Sequence, residues 1–323
     1  MVREGWIRQV AAGQDGLVCR EQALGYGYTR HEVDNLVTSG RWQSMARAIY
    51  LPQPAWAAKP SRRQQVRAAL MSLGPAAYAV HGTAAELHGI AGLPRSNEIH
   101  VGLPGTAAKR ARVGQADVVL HQLGHPADSL VSLDGLPATD AIATVGDVIL
   151  KVGRYPAVSV LDSALNRGLL VEDDLALIAH QIRRRRGAIA ARGYLAEADG
   201  RAQSPLETRT RLRCVDGRVP PDALQLEIRD DDGYLLGIGD LGWRAPRVIA
   251  EADGQAPTAS RTQSSTTAAA RTAWPTPAGQ SSASPGRTPS TRATSPGSSA
   301  KPSPPPAPVD HEVSGILEIN YCR

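Results

Sequence analysis

The chain has 323 residues, is 42% hydrophobic without a single Phe, and carries three widely separated cysteines. That length has room for two or three small domains with cores of Leu, Val, Ile and Ala. Cys19, Cys214 and Cys322 lack the spacing of a disulfide framework or a zinc site, so a reducing cytoplasm is the expected location. No stretch has membrane-spanning length and residues 1–6 form no apolar signal core, which predicts a soluble protein without a membrane partner. The net charge of +5 is uninformative, because Arg261, Arg271, Arg287, Arg292 and Lys301 lie in a stretch without any acid and the rest is nearly balanced.

Residues 1–55 read as a small helical domain ending in a hairpin. A turn at Asp15-Gly16 leads into a short extended piece and a short helix over 20–24. Gly25 to Tyr28 breaks it, Thr29 is placed as an N-cap with Glu32 three residues on, and a helix follows over 30–39 with Val33, Leu36 and Val37 on one face. Gly40 ends that helix, and residues 42–51 supply two strand-like runs. Helix, turn, helix and hairpin is the layout of a winged helix-turn-helix. It would offer Arg30, His31 and Asn35, with Asp34, to a major groove, and Arg41 and Arg47 to phosphates. The acids Glu32 and Asp34 on the same helix count against strong affinity. The alternative is a small helical domain that packs only on its neighbour.

The segments 16–24, Gly40-Arg41-Trp42-Gln43 and Ala48-Ile49-Tyr50 resemble the N-terminal domain of type IV (abortive-infection) antitoxins and related actinobacterial regulators. The resemblance implies promoter DNA as a partner, and a toxin protein as a further one.

Residues 56–200 alternate helical and extended patterns, with helices over 61–73, 81–89, 139–152, 156–167 and 173–184 and strands over 98–103 and 118–123. His81, His88, His100 and His121 lack metal-ligand spacing and read as packed or capping histidines. The arginine run 183–186 lies at a helix C-terminus, where the dipole favours cations; a phosphate-contacting patch is the sharper alternative. His81, 83–85, His88-Gly89 and 136–139 also resemble the antitoxin group, which implies a sensing or partner-binding α+β domain.

Residues 201–255 begin with a capped helix, Ser204-Pro205-Leu206-Glu207, followed by a hairpin over 224–238 turning at 230–233 and a strand over 247–251. Carboxylates at the ends of adjacent strands can hold Mg²⁺ through hard oxygens, and the bound metal can activate water. Asp240 and Glu251 are the candidate pair, with Glu207 and Asp253 as secondary ligands. Spacing alone leaves these residues as readily structural.

Ser204 to Glu207, Gln225, Asp240-Leu241 with Trp243, and Glu251 with Asp253-Gly254 resemble the restriction-endonuclease-like fold, in its very-short-patch-repair-like branch. The resemblance implies Mg²⁺-dependent DNA cleavage with Asp240 and Glu251 catalytic at the metal. It breaks off after Gln255: that group continues with a His, a charged helix and a further strand, whereas here no His occurs before His311. From 256 to 308 there is no Leu, Ile, Val, Met, Asp or Glu, a composition unable to offset chain entropy, so residues 256–323 read as a disordered tail. A frameshift near codon 255 accounts for that composition better than a natural tail does. The sheet is then expected to keep an open edge, against which 313–321 could pair.

The fold class expected is α+β: a winged helix-turn-helix, an α+β middle domain, an incomplete restriction-endonuclease-like module over 201–255, and a disordered tail. The function expected is that of a DNA-binding, antitoxin-like regulator with a degenerate nuclease module. The alternatives are an active Mg²⁺-dependent endonuclease and a non-catalytic toxin-partner protein.

Overall fold

The computed structural model describes residues 2–54, 56–104, 110–113, 116–122, 124–252 and 316–318. The chain is of mixed α+β class, with ten α-helices and three β-sheets among the described residues. Its contacts divide it into two compact units, Met1–Arg218 and Val219–Arg323.

The first unit opens with α1 (Val2–Ala12), β1 (Val18–Cys19), α2 (Arg20–Gly25), α3 (Arg30–Thr38), β2 (Gln43–Ala46) and β3 (Ile49–Leu51). The cap expected at Thr29 is present: its hydroxyl accepts from the Glu32 amide at 3.2 Å, and the Glu32 carboxylate accepts from the Thr29 amide at 2.6 Å. Two otherwise unpaired amides are satisfied in this way, which fixes where α3 starts. Strands β2 and β3 form an antiparallel hairpin, β1 pairs with the far side of β3, and the sheet order is β1-β3-β2. Ile7, Val18, Ala23, Val33, Trp42 and Tyr50 form the core beneath it. Sequence periodicity had not assigned α1, whose Ile7 and Ala11 are its contribution to that core.

Next come α4 (Arg62–Leu73), β4 (Tyr78–Ala79), α5 (His81–Leu87), β5 (Ile99–Gly102), β6 (Arg110–Val113), β7 (Ala116–His121), β8 (Leu130–Leu133) and β9 (Leu136–Thr139). Their six strands make one mixed sheet in the order β6-β7-β5-β4-β9-β8. Leu17, Met45, Ile49 and Leu51 pack with Val66, Ala69 and Leu70 of α4 and with Ile99, Val101 and Val118 of the sheet. Residues 1–55 and the segment after them therefore share one core. Ion pairs reinforce it, Asp15 meeting Arg63 at 3.0 Å and Arg67 at 2.5 Å.

The helices α6 (Ala141–Ile149), α7 (Arg154–Asn166), α8 (Glu172–Gln181), α9 (Ala188–Ala196) and α10 (Pro205–Asp216) complete this unit. Val145, Ile149, Val160, Leu161, Ile178 and Ile182 are their buried contacts. The sequence had drawn a boundary at 200/201, whereas the contacts place it after Arg218. The reason is α10: Thr208 and Arg211 donate to the buried Asp162 of α7 at 2.8 and 2.9 Å, and Arg154 donates to Asp216 at 2.6 Å.

The second unit is a four-stranded sheet of β10 (Ala223–Arg229), β11 (Leu235–Trp243), β12 (Val248–Glu251) and β13 (Ile316–Glu318), in that order. The expected turn forms around Asp230, whose carboxylate accepts from the Asp232 and Tyr234 amides at 3.1 and 2.7 Å. Strand β11 runs on through Asp240 to Trp243 instead of stopping at Ile238. The edge expected to stay open at β12 is paired in parallel by β13, with Ile249 opposite Ile316 and Glu251 opposite Glu318. The remainder of the tail, 253–315 and 319–323, lies outside the described residues, and so does the disorder expected of it. Among the described residues no helix is long and apolar enough to cross a membrane.

Candidate functional site

Three places carry the residues that matter. The first is the outer surface of α3 and the β2–β3 hairpin. Arg30, His31 and Asn35 are exposed on α3, Arg41 is exposed ahead of β2, and Arg47 is exposed at the hairpin tip. The tip turns tightly, with Ala48 in the left-handed region at φ 60°. The two acids on α3 are both engaged by cations: Asp34 pairs with Arg20, and Glu32 pairs with Arg3 at 3.3 Å. Hydrogen bonds from the Thr29 backbone and side chain, then the nearby Arg3, hold the Glu32 carboxyl below its usual range. Arg20 is itself held by the Tyr50 hydroxyl at 2.9 Å. The acids that counted against an anionic partner are thus partly neutralised by cations of the same unit.

The second place is the sheet of the second unit. Leu241 stands opposite Ala250 and Leu224 opposite Leu241. One step along the same registers, Gln225, Asp240 and Glu251 form a single row across β10, β11 and β12. Neighbouring strands put directly opposed residues on the same face of a sheet. The Asp240 carboxylate accepts from the Ala252 amide at 2.8 Å and from the Gln225 side-chain amide at 3.5 Å. The Glu251 carboxylate reaches within 3.6 Å of where a Cβ would stand on Gly239, next to Asp240. The register thus sets Asp240 opposite Glu251 on neighbouring strands.

The other two expected ligands are not part of that row. Glu207 lies in the first unit, only 7% exposed, where its carboxylate accepts from the Gln203 amide at 2.9 Å at the start of α10. Asp253 lies outside the described residues. Among the described residues no three His, Cys, Asp or Glu side chains converge as a metal cluster. A pair of hard carboxylate oxygens nonetheless fits Mg²⁺, which is commonly held by one or two carboxylates, with waters and substrate phosphate completing its shell.

The third place was not legible in the sequence. His81 at the start of α5, His100 on β5 and His121 on β7 meet in the first unit, with ring centroids 4.4 Å apart for His81–His121 and 5.2 Å for His100–His121. His100 Nδ1 lies 3.0 Å from His121 Nε2. Parallel pairing sets Gly102 opposite His121, so His100 and His121 share a face one diagonal step apart. His88, grouped with them by sequence, instead binds the Thr139 carbonyl at 2.8 Å. Of the arginine run, Arg185 is tied to the fully buried Asp147 at 2.7 Å, which His125 also meets at 2.9 Å. Burial opposes the charge on Asp147, yet these two partners keep its carboxyl below the ordinary value. That is a structural use of Arg185, beside the helix-terminus role expected for the run.

No model of a known protein family matches the chain. Two proteins of Mycobacterium tuberculosis are similar to it: "Uncharacterized protein MT2308" of strain CDC 1551 / Oshkosh, and "Uncharacterized protein Rv2248" of strain ATCC 25618 / H37Rv. Each is 30% identical over 223 residues, spanning 69% of this chain and 78% of the relative. The chain belongs to their family. Among solved structures, the crystal structure of the RV2827C protein from the same species aligns over 62% of this chain and 82% of its own, at 16% identity and a TM-score of 0.37. That likeness is too slight to define the fold of this family member.

Proposed function

We propose that this family member is a DNA-binding regulator of the antitoxin type, with a restriction-endonuclease-like second unit. The observation that supports the reading is the order α1-β1-α2-α3-β2-β3 with its β1-β3-β2 sheet, which is compatible with a winged helix-turn-helix. In this reading α3 enters the major groove with Arg30, His31 and Asn35, and Arg41 and Arg47 meet the phosphates on either side. Pairing of Asp34 with Arg20 and of Glu32 with Arg3 lessens the repulsion those acids would exert on the duplex. Fluorescence anisotropy with labelled duplex DNA tests it. The intact chain binds, and a variant with Arg30, Arg41 and Arg47 all changed to Ala does not; equal binding by both rejects the reading.

A second reading, Mg²⁺-dependent cleavage of DNA, is favoured by the row Gln225–Asp240–Glu251. Asp240 and Glu251 would hold the ion, which when bound supplies a Lewis acid and an activated water for phosphodiester hydrolysis. Gln225 steadies the Asp240 carboxylate from the neighbouring strand. Nicking of plasmid DNA with Mg²⁺ or Mn²⁺ that vanishes in Asp240→Ala supports this reading. Absence of nicking across metals and substrates leaves the second unit a degenerate module.

A further inference from the structure

The three histidines line the floor of a cleft of about 750 Å³ in the first unit. This lies within the range of small-molecule sites, roughly 300–1,000 Å³. Ile90, Leu93, Val148 and Val152 supply the apolar part of its lining, and two acids also line it, Glu86 paired with Arg62 and Glu98 3.6 Å from His100 Nε2.

His81 is the residue that requires explanation. It is 4% exposed, and neither ring nitrogen has a hydrogen-bond partner among the described residues. A neutral imidazole carries one donor and one acceptor, and leaving both buried and unpaired is unfavourable. The ring is nevertheless held at the cleft, from a backbone in the left-handed region at φ 50°.

The floor is uncharged. Burial, then a neighbouring imidazole and more weakly Lys151, depresses His81 to about 3 and His121 to about 4, and burial lowers His100 against the opposing pull of Glu98. At neutral pH the cluster thus offers hydrogen-bond donors and acceptors, not positive charge. Positive charge sits at the mouth. Lys151 is near enough to depress all three imidazoles and makes no ion pair among the described residues, and neither does Arg95. Arg62, by contrast, is fully engaged by Glu86 and by the Asn97 and Glu98 carbonyls.

A metal would leave much of this unexplained. Neutral imidazoles are ligands, but His100 and His121 are already bonded to each other and the three do not converge as a metal site. Apolar side chains beside neutral imidazoles, with the acids Glu86 and Glu98 already met by Arg62 and His100 and with Lys151 left over, suit a flat ring with polar edges and an anionic substituent. We propose that this cleft binds a small heteroaromatic anion, its ring edge bonded to His81 and His121 and its anionic group held by Lys151. The same chemistry is presented by a nucleoside monophosphate and by a heteroaromatic carboxylate.

Side-chain NMR of ¹³C-histidine-labelled full-length protein tests the proposal, with 5′-AMP, 5′-GMP and indole-3-carboxylate as probes and adenosine and zinc chloride as controls. Saturable shifts at His81, His100 and His121 with at least one anion at millimolar concentration are expected. Affinity should fall about tenfold in Lys151→Ala, a substitution at an exposed site after α6 that leaves the core intact. The phosphate probes and the carboxylate distinguish the two sources. Silence with every anion, or shifts unchanged in Lys151→Ala, overturns the proposal. Stoichiometric shifts with micromolar zinc in place of the anions overturn it in favour of a metal site.

Discussion

Asp240 accepts a hydrogen bond from the backbone amide of Ala252 at 2.8 Å, across from its own strand to the end of the next. That bond ties β11 to the point where β12 finishes. One side chain therefore serves the packing of the sheet and any chemistry on its face. The two roles separate experimentally. Asp240→Ala removes the acceptor for Ala252 and Gln225 and should cost the second unit roughly 1–3 kcal/mol in urea unfolding. Asp240→Asn keeps an acceptor oxygen and should cost less than about 1 kcal/mol. If the carboxylate serves metal-assisted cleavage, both variants lose nicking equally despite their different stabilities.

Asp15 contributes to the acid stability of the first unit. Burial alone would raise its carboxyl, but hydrogen bonds and charge from Arg67 and Arg63 outweigh that and hold it below 3.8. A lowered value means that the stabilisation is complete above the unfolded pKa and disappears as pH falls through the folded one. Urea midpoints should therefore drop below about pH 4 in the native sequence. In Asp15→Asn the starting stability is lower and that drop is shallower; an unchanged acid limb would remove Asp15 from the account.

Much of the fold could be read from local chemistry. Thr29 with Glu32 and Ser204 with Pro205 marked helix starts that the structure has at the same residues. The turn at 230–233 followed from its Asp and Gly residues. What could not be read was association over distance. Strand β4 has two residues and pairs with β9 at a single position, so it leaves no periodic trace. His100 and His121 meet because β5 and β7 lie side by side in parallel, and His81 joins them from another element; no spacing encodes that. The placing of Asp240 opposite Glu251 followed from a short antiparallel connection that fixes the register of β11 and β12. Helix α10 was assigned to the wrong side of a boundary because its buried partner, Asp162, lies more than forty residues earlier.

Asp162 should be a sensitive polar position in the helical layer. It is 1% exposed and binds the Asp199 amide, Thr208 and Arg211 at 2.7, 2.8 and 2.9 Å. Removing one partner of a buried ion pair strands the other, at a cost of about 3–5 kcal/mol. Asp162→Ala should lower stability by that amount in chemical denaturation. A loss below about 1 kcal/mol would mean that α10 is held by apolar contacts alone.

Gly92, on the wall of the histidine cleft, has φ 116°, and a Cβ there would fall 2.7 Å from Ser159 Cβ and 2.9 Å from the Val160 amide nitrogen of α7. Neither the backbone angle nor the helix can give way cheaply. Gly92→Ala should cost about 1–3 kcal/mol and weaken ligand uptake by the cleft through displacement of its wall. Thermal unfolding and the histidine NMR titration, run on the same variant, check the two effects.

The most direct test of the central claim is the salt dependence of duplex DNA binding, measured by anisotropy on the intact chain and on Arg41→Ala/Arg47→Ala. Each phosphate neutralised contributes about 0.9 to the slope of log affinity against log salt. A steep slope that falls by about 2 when the two hairpin arginines are removed is the result expected. A slope near zero, or one that the double variant leaves unchanged, would contradict DNA recognition through α3 and the β2–β3 hairpin.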